Sequence, residues 1–161
     1  MGRHYLYICF WVLSYPLCQA QSPDNAYHSF SKGYANLDAK LITSLYTSDA
    51  LLVNLYENRP PESYYTRDSI FLFFESLFVR AREEGISLAI DFHPTNRQVK
   101  GEQILDNGYY HLEVSPKVGE GYDRYGKFSI LLRKQDGKWK FHIDTNASAS
   151  QEEYEQALWD K

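Results

Sequence analysis

Residues 125–148, YGKFSILLRKQDGKWKFHIDTNAS, restrict the fold more than any other stretch. They read as two strands around one tight turn. Asp136-Gly137 is the turn signal, because a type I′ hairpin turn needs positive φ at both central positions and Gly supplies one freely. With those two residues at the centre, Leu132 faces Phe141, Ile130 faces Ile143, and Phe128 faces Thr145. On the other side Leu131 faces His142 and Ser129 faces Asp144. Side chains alternate along a strand, so the hairpin has two unlike sides. One carries Phe128, Ile130, Leu132, Trp139, Phe141 and Ile143. The other carries Ser129, Leu131, His142, Asp144 and Asn146. By patterning alone, the apolar side is the core side.

Upstream, Tyr27, Phe30, Tyr34, Leu37, Leu41 and Leu45 recur at spacings of three and four, which predicts one helix of about twenty residues. Gly33 inside it marks close packing or a ligand approach. Residues 50–56 are short and apolar and read as a strand that Arg59-Pro60-Pro61 ends. A second helix starts near Asp68 as N-cap, carries Ile70, Phe71, Phe74 and Phe78 on a wide apolar stripe, and stops at Gly85. From Ile86 the period becomes two, and Pro94 predicts a kink or bulge. A strand over 99–105, a second hairpin turn at Asn107-Gly108 and a strand over 109–115 follow. The order is helix, strand, helix, then four antiparallel strands, which is α+β with helices on one face of a curved sheet.

The chain of 161 residues suits one domain. Its 14 Tyr and 9 Phe suggest an aromatic-rich core or cavity, and a net charge of −4 gives no reason to expect nucleic acid. Residues 1–20 stand apart. Arg3 and His4 precede a short apolar run, and Cys18-Gln19-Ala20 ends it before a polar stretch. That pattern predicts a secretory signal peptide cleaved after Ala20, hence a secreted or periplasmic protein with no membrane attachment after cleavage. Both cysteines, Cys9 and Cys18, lie in this leader, so the mature chain would carry no thiol chemistry. The domain is expected over 21–150, and 151–161 as a tail or short helix.

Four segments resemble a known superfamily: Leu37-Asp38-Ala39 with Leu45 to Ala50, Thr66 to Ile70 with Phe73-Phe74, Ile104 to Asn107, and Gly126 through Trp139 ending in Asp144-Thr145-Asn146-Ala147-Ser148. Over about residues 26–148 the chain resembles the SnoaL-like, ketosteroid-isomerase-like (nuclear-transport-factor-2-like) proteins. The resemblance implies a cone-shaped roll, with a curved antiparallel sheet wrapped around a long N-terminal helix and a second long helix, and a cavity at the open end. Members include isomerases, dehydratases, cyclases and non-enzymatic binding or association domains, so fold alone does not assign function.

The resemblance reverses the reading of the hairpin. It implies that Ser129, Leu131, His142, Asp144 and Asn146 line the cavity. The side with Phe128, Ile130, Leu132, Phe141 and Ile143 would then be an exposed apolar patch and a homodimer surface. The ligand set it implies is Tyr34, Asn54, Tyr110, Ser129, Leu131 and Asn146 around a small apolar molecule, with no cofactor. The steroid isomerase trio falls near Phe30, Asn54 and Ser129, none of which keeps the required acid or donor chemistry. Asp144 and His142 are the candidates for acid–base work, since an acid in an aromatic cavity is raised by desolvation and His titrates near neutrality. The alternative reading of Asp144 is structural, an acceptor of hydrogen bonds from Ser129 and nearby backbone that shapes the cavity. Asp91 with His93, and His111 with Glu113, share strand faces, yet no ligand cluster supports them and no metal is expected.

Overall fold

The computed structural model describes residues 22–159. The expected leader, 1–20, lies outside the described residues. Two short helices, α1 (Asp24–Ala35) and α2 (Ala39–Ser44), precede β1 (Tyr46–Leu55) and a short β2 (Glu62–Tyr64). The long α3 (Arg67–Glu84) follows, then β3 (Ile86–Lys100), β4 (Gln103–Pro116), β5 (Tyr122–Gln135), β6 (Lys138–Ala149) and α4 (Gln151–Trp159). One sheet holds all six strands in the order β2-β1-β6-β5-β4-β3. The fold class is α+β, as expected. The sheet is mixed rather than purely antiparallel, because β6 returns beside β1 in parallel.

The single N-terminal helix predicted from periodicity is two. Leu37 takes φ +51°, a left-handed conformation that ends α1, and the Asp38 carboxylate then accepts from the Leu41 amide at 2.9 Å to start α2. The apolar period runs on through a corner, so period alone does not reveal it. The face buried by α2 is accordingly Ala39 and Ile42 rather than Leu41. Gly33 serves close packing, since a Cβ there would stand 2.4 Å from Ile42 Cγ1. The cap of α3 is Thr66, not Asp68. Thr66 and Ser69 form a reciprocal capping box, with Asp68 left in the first turn where the helix dipole favours it. Gly85 ends α3 at φ +65°, as expected.

Asn107-Gly108 is not a turn. The β3–β4 hairpin turns at Gly101, φ +60°, and β4 runs straight through Asn107 and Gly108. Gly108 is required there because a Cβ would lie 2.3 Å from the His93 carbonyl oxygen. The bulge expected at Pro94 is present, between Pro94 and Asn96.

The terminal hairpin turns at Asp136 and Gly137, both at positive φ, and Leu132 pairs with Phe141. There the expected register ends. His142 is an extra residue, and beyond it Leu131 pairs with Ile143, Ile130 with Asp144, and Phe128 with Asn146. One inserted residue exchanges the faces of everything after it. The inward side of the hairpin therefore carries Phe128, Ile130, Leu132 and Phe141 together with Asp144 and Asn146. The expectation that one side is apolar and the other polar joins two half-faces that the bulge separates.

Those inward residues pack against α1 and α3 in an aromatic core. Phe30 of α1 lies 5.4 Å from Phe141 and 5.7 Å from Phe74 of α3, ring centre to ring centre. Phe128, Ile130, Leu132 and Phe141 are all buried. The apolar patch expected on the outside of the sheet is thus the inside of the cone, and of its five residues only Ile143 sits on the outer side. On that outer side α4 packs across β4 and β5, with the Tyr154 ring 5.2 Å from Tyr125 and the Lys127 ammonium 3.0 Å from Glu153.

Candidate functional site

Burying the inward side of a curved sheet against two helices leaves a gap where the curvature outruns the side chains. It is a cavity of about 180 Å³. Its walls are Phe30 and Tyr34 from α1, Phe73 and Phe74 from α3, and Ile90, Phe92, Tyr110 and Phe128 from the sheet. Asn54 of β1, Tyr56 just after that strand, and Asp144 and Asn146 of β6 bring polar groups to it. The parallel pairing of β1 with β6 aligns them, since Asn54 is directly opposite Asn146 and Leu52 opposite Asp144. The Asn146 amide donates to the Asn54 side-chain oxygen at 2.8 Å, which fixes both.

Asp144 is the one acid of the cavity, and it is 7% exposed. The fully buried Tyr46 hydroxyl donates to its Oδ2 at 2.5 Å. Among the described residues nothing donates to Oδ1, and no Lys, Arg or His pairs with the carboxyl. Burial pushes the carboxyl up to about 6, and the Tyr46 hydrogen bond holds it back from going higher. Tyr34, also buried, has no hydrogen-bond partner for its hydroxyl among the described residues. Burial raises the Tyr34 and Tyr110 hydroxyls, and the nearby Asp144 charge raises both further. The site is therefore an aromatic box with one unmatched carboxyl and neutral phenols around it.

The structure brings together Asp144, Tyr34, Asn54, Tyr110 and Asn146 of the candidate residues. Ser129, Leu131 and His142 are not with them. Ser129 opens onto a shallow groove on the outer face, Leu131 shares that face, and His142 occupies the bulge. The His142 ring meets Thr47 Oγ1 at 3.0 Å through Nδ1 and the Arg133 guanidinium at 3.4 Å through Nε2. Arg133 can only donate, so Nε2 accepts and Nδ1 carries the proton. Arg133 also holds Asp49 at 2.5 Å. An acid–base pair of Asp144 with His142 across one cavity is excluded by that geometry. Of the steroid isomerase positions, Phe30 and Asn54 line the cavity and Ser129 faces outward, where its inward neighbours Phe128 and Ile130 are apolar.

Residues the sequence reading did not single out for the site include Phe73, Phe92, Leu112 and Tyr56, and Phe128, which the resemblance placed on the outer side. Tyr56 is covered by the Arg59 guanidinium, 3.4 Å above its ring, and Arg59 pairs with Glu62 at 3.1 Å. The signal for Phe92 was its alternation with Leu88 and Ile90. Nothing local marks Tyr56 or Tyr46 as site residues. Tyr27 turns away to Asp106, and Tyr109 faces the groove beneath α4. His93 bonds the Ala157 carbonyl and His111 pairs with Asp123, and no cluster of three metal-ligating side chains occurs among the described residues.

These features define a class of protein, an α+β cone whose sheet and helices enclose an aromatic cavity. The fold is that of the nuclear-transport-factor-2-like and ketosteroid-isomerase-like proteins, as the resemblance implied. No family model and no curated protein matches the sequence. Solved structures match the fold. A nuclear-transport-factor-2-like protein with a cystatin-like fold from Novosphingobium aromaticivorans is 13% identical with a TM-score of 0.62, over 83% of this chain and 84% of that one. A ketosteroid isomerase-like protein from Erwinia carotovora is 16% identical with a TM-score of 0.55, over 79% of this chain and 93% of that one. A protein of unknown function with the same fold from Shewanella oneidensis is 13% identical with a TM-score of 0.59, over 78% and 95%.

Proposed function

We propose that this protein binds a small, mainly apolar molecule in the cone cavity, with one polar group of that molecule on Asp144. The observation that carries the reading is the carboxyl oxygen Oδ1, which has no partner among the described residues and stands in an aromatic cavity of about 180 Å³. A ligand N–H or O–H that takes the place of water at this oxygen makes a hydrogen bond to a charged acceptor, which contributes about 1.5–3 kcal/mol net. Size supports the same class, since an apolar cavity of about 150 Å³ admits benzene. The ligand is on the scale of one ring with a short substituent. The test is an NMR titration with benzyl alcohol as the probe. Shift changes centred on Tyr34, Tyr110 and Asp144 are expected. No change at millimolar probe, or changes confined to the outer face near Ser129, overturns the reading.

A second reading is an isomerase-, dehydratase- or cyclase-like enzyme. Its support is the Asp144 carboxyl at about 6, close to the working range of a general acid or base. His142 drops out of that chemistry, and the Tyr34, Tyr46 and Tyr110 hydroxyls are the remaining proton donors near Asp144. Asp144→Asn then abolishes turnover while binding persists.

The pattern of residues 1–20 supports export of this domain. Sequencing the N-terminus of the exported protein should begin at Gln21, and an intact Met1 would contradict it. Phe128, Ile130, Leu132 and Phe141 are buried, so these side chains do not form the exposed apolar face expected for a homodimer.

A further inference from the structure

We propose that the cavity selects a small organic cation, an ammonium carried on a ring or short hydrocarbon, with the ammonium against Asp144 and the hydrocarbon among the rings. This rests on the cavity reading above and names the chemistry of the polar group.

Among the described residues the interior of the cone holds two buried carboxyls, Asp106 and Asp144, and they are treated differently. Asp106 is fully buried and receives two hydrogen bonds from Arg97, at 2.8 and 2.9 Å, plus one from the Tyr27 hydroxyl at 2.8 Å. Its charge is matched within the chain. Asp144 receives one phenolic hydrogen bond and no cation. A buried carboxylate either finds a counter-charge or gives up its own charge. An ammonium ligand supplies the missing partner, and its N–H groups have acceptors in Asp144 Oδ1 and the free Tyr34 hydroxyl oxygen.

The walls suit the same ligand. Phe30, Tyr34, Phe74, Phe92, Tyr110 and Phe128 surround the space beside Asp144. Aromatic rings attract cations through their quadrupole, most strongly where water is excluded. An anionic ligand would meet Asp144 with no cation to offset the repulsion. A neutral hydrogen-bond acceptor would need Asp144 protonated, which makes the opposite prediction for pH.

The groups facing Asp144 are Tyr34 from α1, Tyr46 from β1 and Tyr110 from β4, all phenols raised by burial and neutral throughout the range tested. The helix α3 contributes only Phe73 and Phe74. At the rim, Tyr56 lies under Arg59, whose charge is paired with Glu62. Asp144 is thus the group in the cavity that titrates between pH 5 and 7.5.

The experiment compares benzylammonium with its neutral isostere benzyl alcohol, by calorimetry or NMR titration on the full chain. At pH 7.5 benzylammonium should bind at least tenfold tighter than benzyl alcohol. Between pH 7.5 and pH 5 its affinity should fall about tenfold, because the competent ionised form of Asp144 becomes the minor one while an alkylammonium keeps its charge. Benzyl alcohol should show no such fall. In Asp144→Asn the preference for benzylammonium should vanish, and parent-like NMR dispersion away from the cavity shows that the variant is folded. Benzyl alcohol binding as tightly as benzylammonium at pH 7.5, or an ammonium affinity that does not fall at pH 5, overturns the cation proposal and leaves the cavity reading standing. Binding of neither probe overturns both.

Discussion

The Tyr46 hydroxyl donates to Asp144 at 2.5 Å across the parallel pair of β1 and β6, and both residues are buried. Residues 98 positions apart in the chain are therefore fixed as one unit. The hydrogen bond occupies Oδ2 from behind the cavity and leaves Oδ1 facing the space in front. It favours the ionised carboxyl, and burial opposes it and prevails.

That balance makes stability fall as pH rises. The Asp144 carboxyl is near 6 in the folded chain and near 4 when unfolded, so between those values the folded state holds the proton and the unfolded state releases it. Stability is highest below about pH 4, declines through about pH 6 and is level above it, as far as Asp144 alone contributes. The span is on the order of 2–3 kcal/mol. In Asp144→Asn that component is gone, so urea denaturation from pH 4.5 to 7.5 should show a flatter profile. Its ratio of stability at pH 7.5 to that at pH 4.5 should exceed that of the parent chain. An identical pH slope in both proteins would show that the carboxyl is solvated.

The contribution of His142 lies outside the cavity. Its ring joins Thr47, Arg133 and Asp49 on the outer side of the sheet, so His142→Ala should leave benzyl alcohol affinity within about twofold of the parent. A loss of roughly 1 kcal/mol in stability is expected from the hydrogen bonds removed. A tenfold loss of affinity without unfolding would place the residue in the site after all.

The same bulge explains what was legible in the sequence and what was not. The turn at Asp136-Gly137 is a local matter of φ, and local sequence reveals it. The α+β order and the long amphipathic α3 follow from period and capping. His142 is different, because a bulge depends on how β6 meets β1, where the chain between Tyr46 and Leu51 also breaks register. The patterning of the first half of the hairpin correctly placed Phe128, Ile130 and Leu132 inward, and the superfamily analogy correctly placed Asp144 and Asn146 inward. Each was extended past the bulge to residues it did not govern. Asn107-Gly108 failed for a similar reason. The glycine answers to the His93 backbone on a neighbouring strand, and a tertiary requirement leaves the same residue as a turn would. Leu37 and Asp38 show the converse, a local capping signal masked by a continuing apolar period.

Gly126 sets the shape of the cavity wall. A Cβ at Gly126 would stand 2.1 Å from Cζ of Tyr110, and the phenol end of that side chain is the part that must move. Gly126→Ala should therefore rotate Tyr110 at a cost of about 1–3 kcal/mol and alter the cavity. Benzyl alcohol should bind at least fivefold more weakly to this variant, with the largest NMR shift changes at Tyr110. Unchanged affinity would mean that Tyr110 is not a wall of the binding site.

The Arg97–Asp106 pair carries the last prediction. Asp106 is fully buried, and Arg97 grips both its oxygens through Nε and Nη2 while Nη2 also reaches Asp24 at 2.8 Å. The Tyr27 hydroxyl adds a third hydrogen bond to Asp106, and burial together with the Asp106 charge raises that phenol far above its ordinary range. The cluster ties α1 to β3 and β4, and so holds the helix that supplies Phe30 and Tyr34 to the cavity. Arg97→Ala leaves a buried carboxylate with only Tyr27, and removing one partner of such a pair costs about 3–5 kcal/mol. The exposed Arg59–Glu62 pair is screened, and Glu62→Gln should cost under about 1 kcal/mol. Replacing both charges, as Arg97→Met with Asp106→Leu, removes the unmatched charge and should recover most of the loss, short of the hydrogen bond stranded on Tyr27. Urea denaturation of the four chains at pH 7 measures the contrast. A double variant no more stable than Arg97→Ala would show that the cluster matters through geometry at α1 rather than through the buried charge.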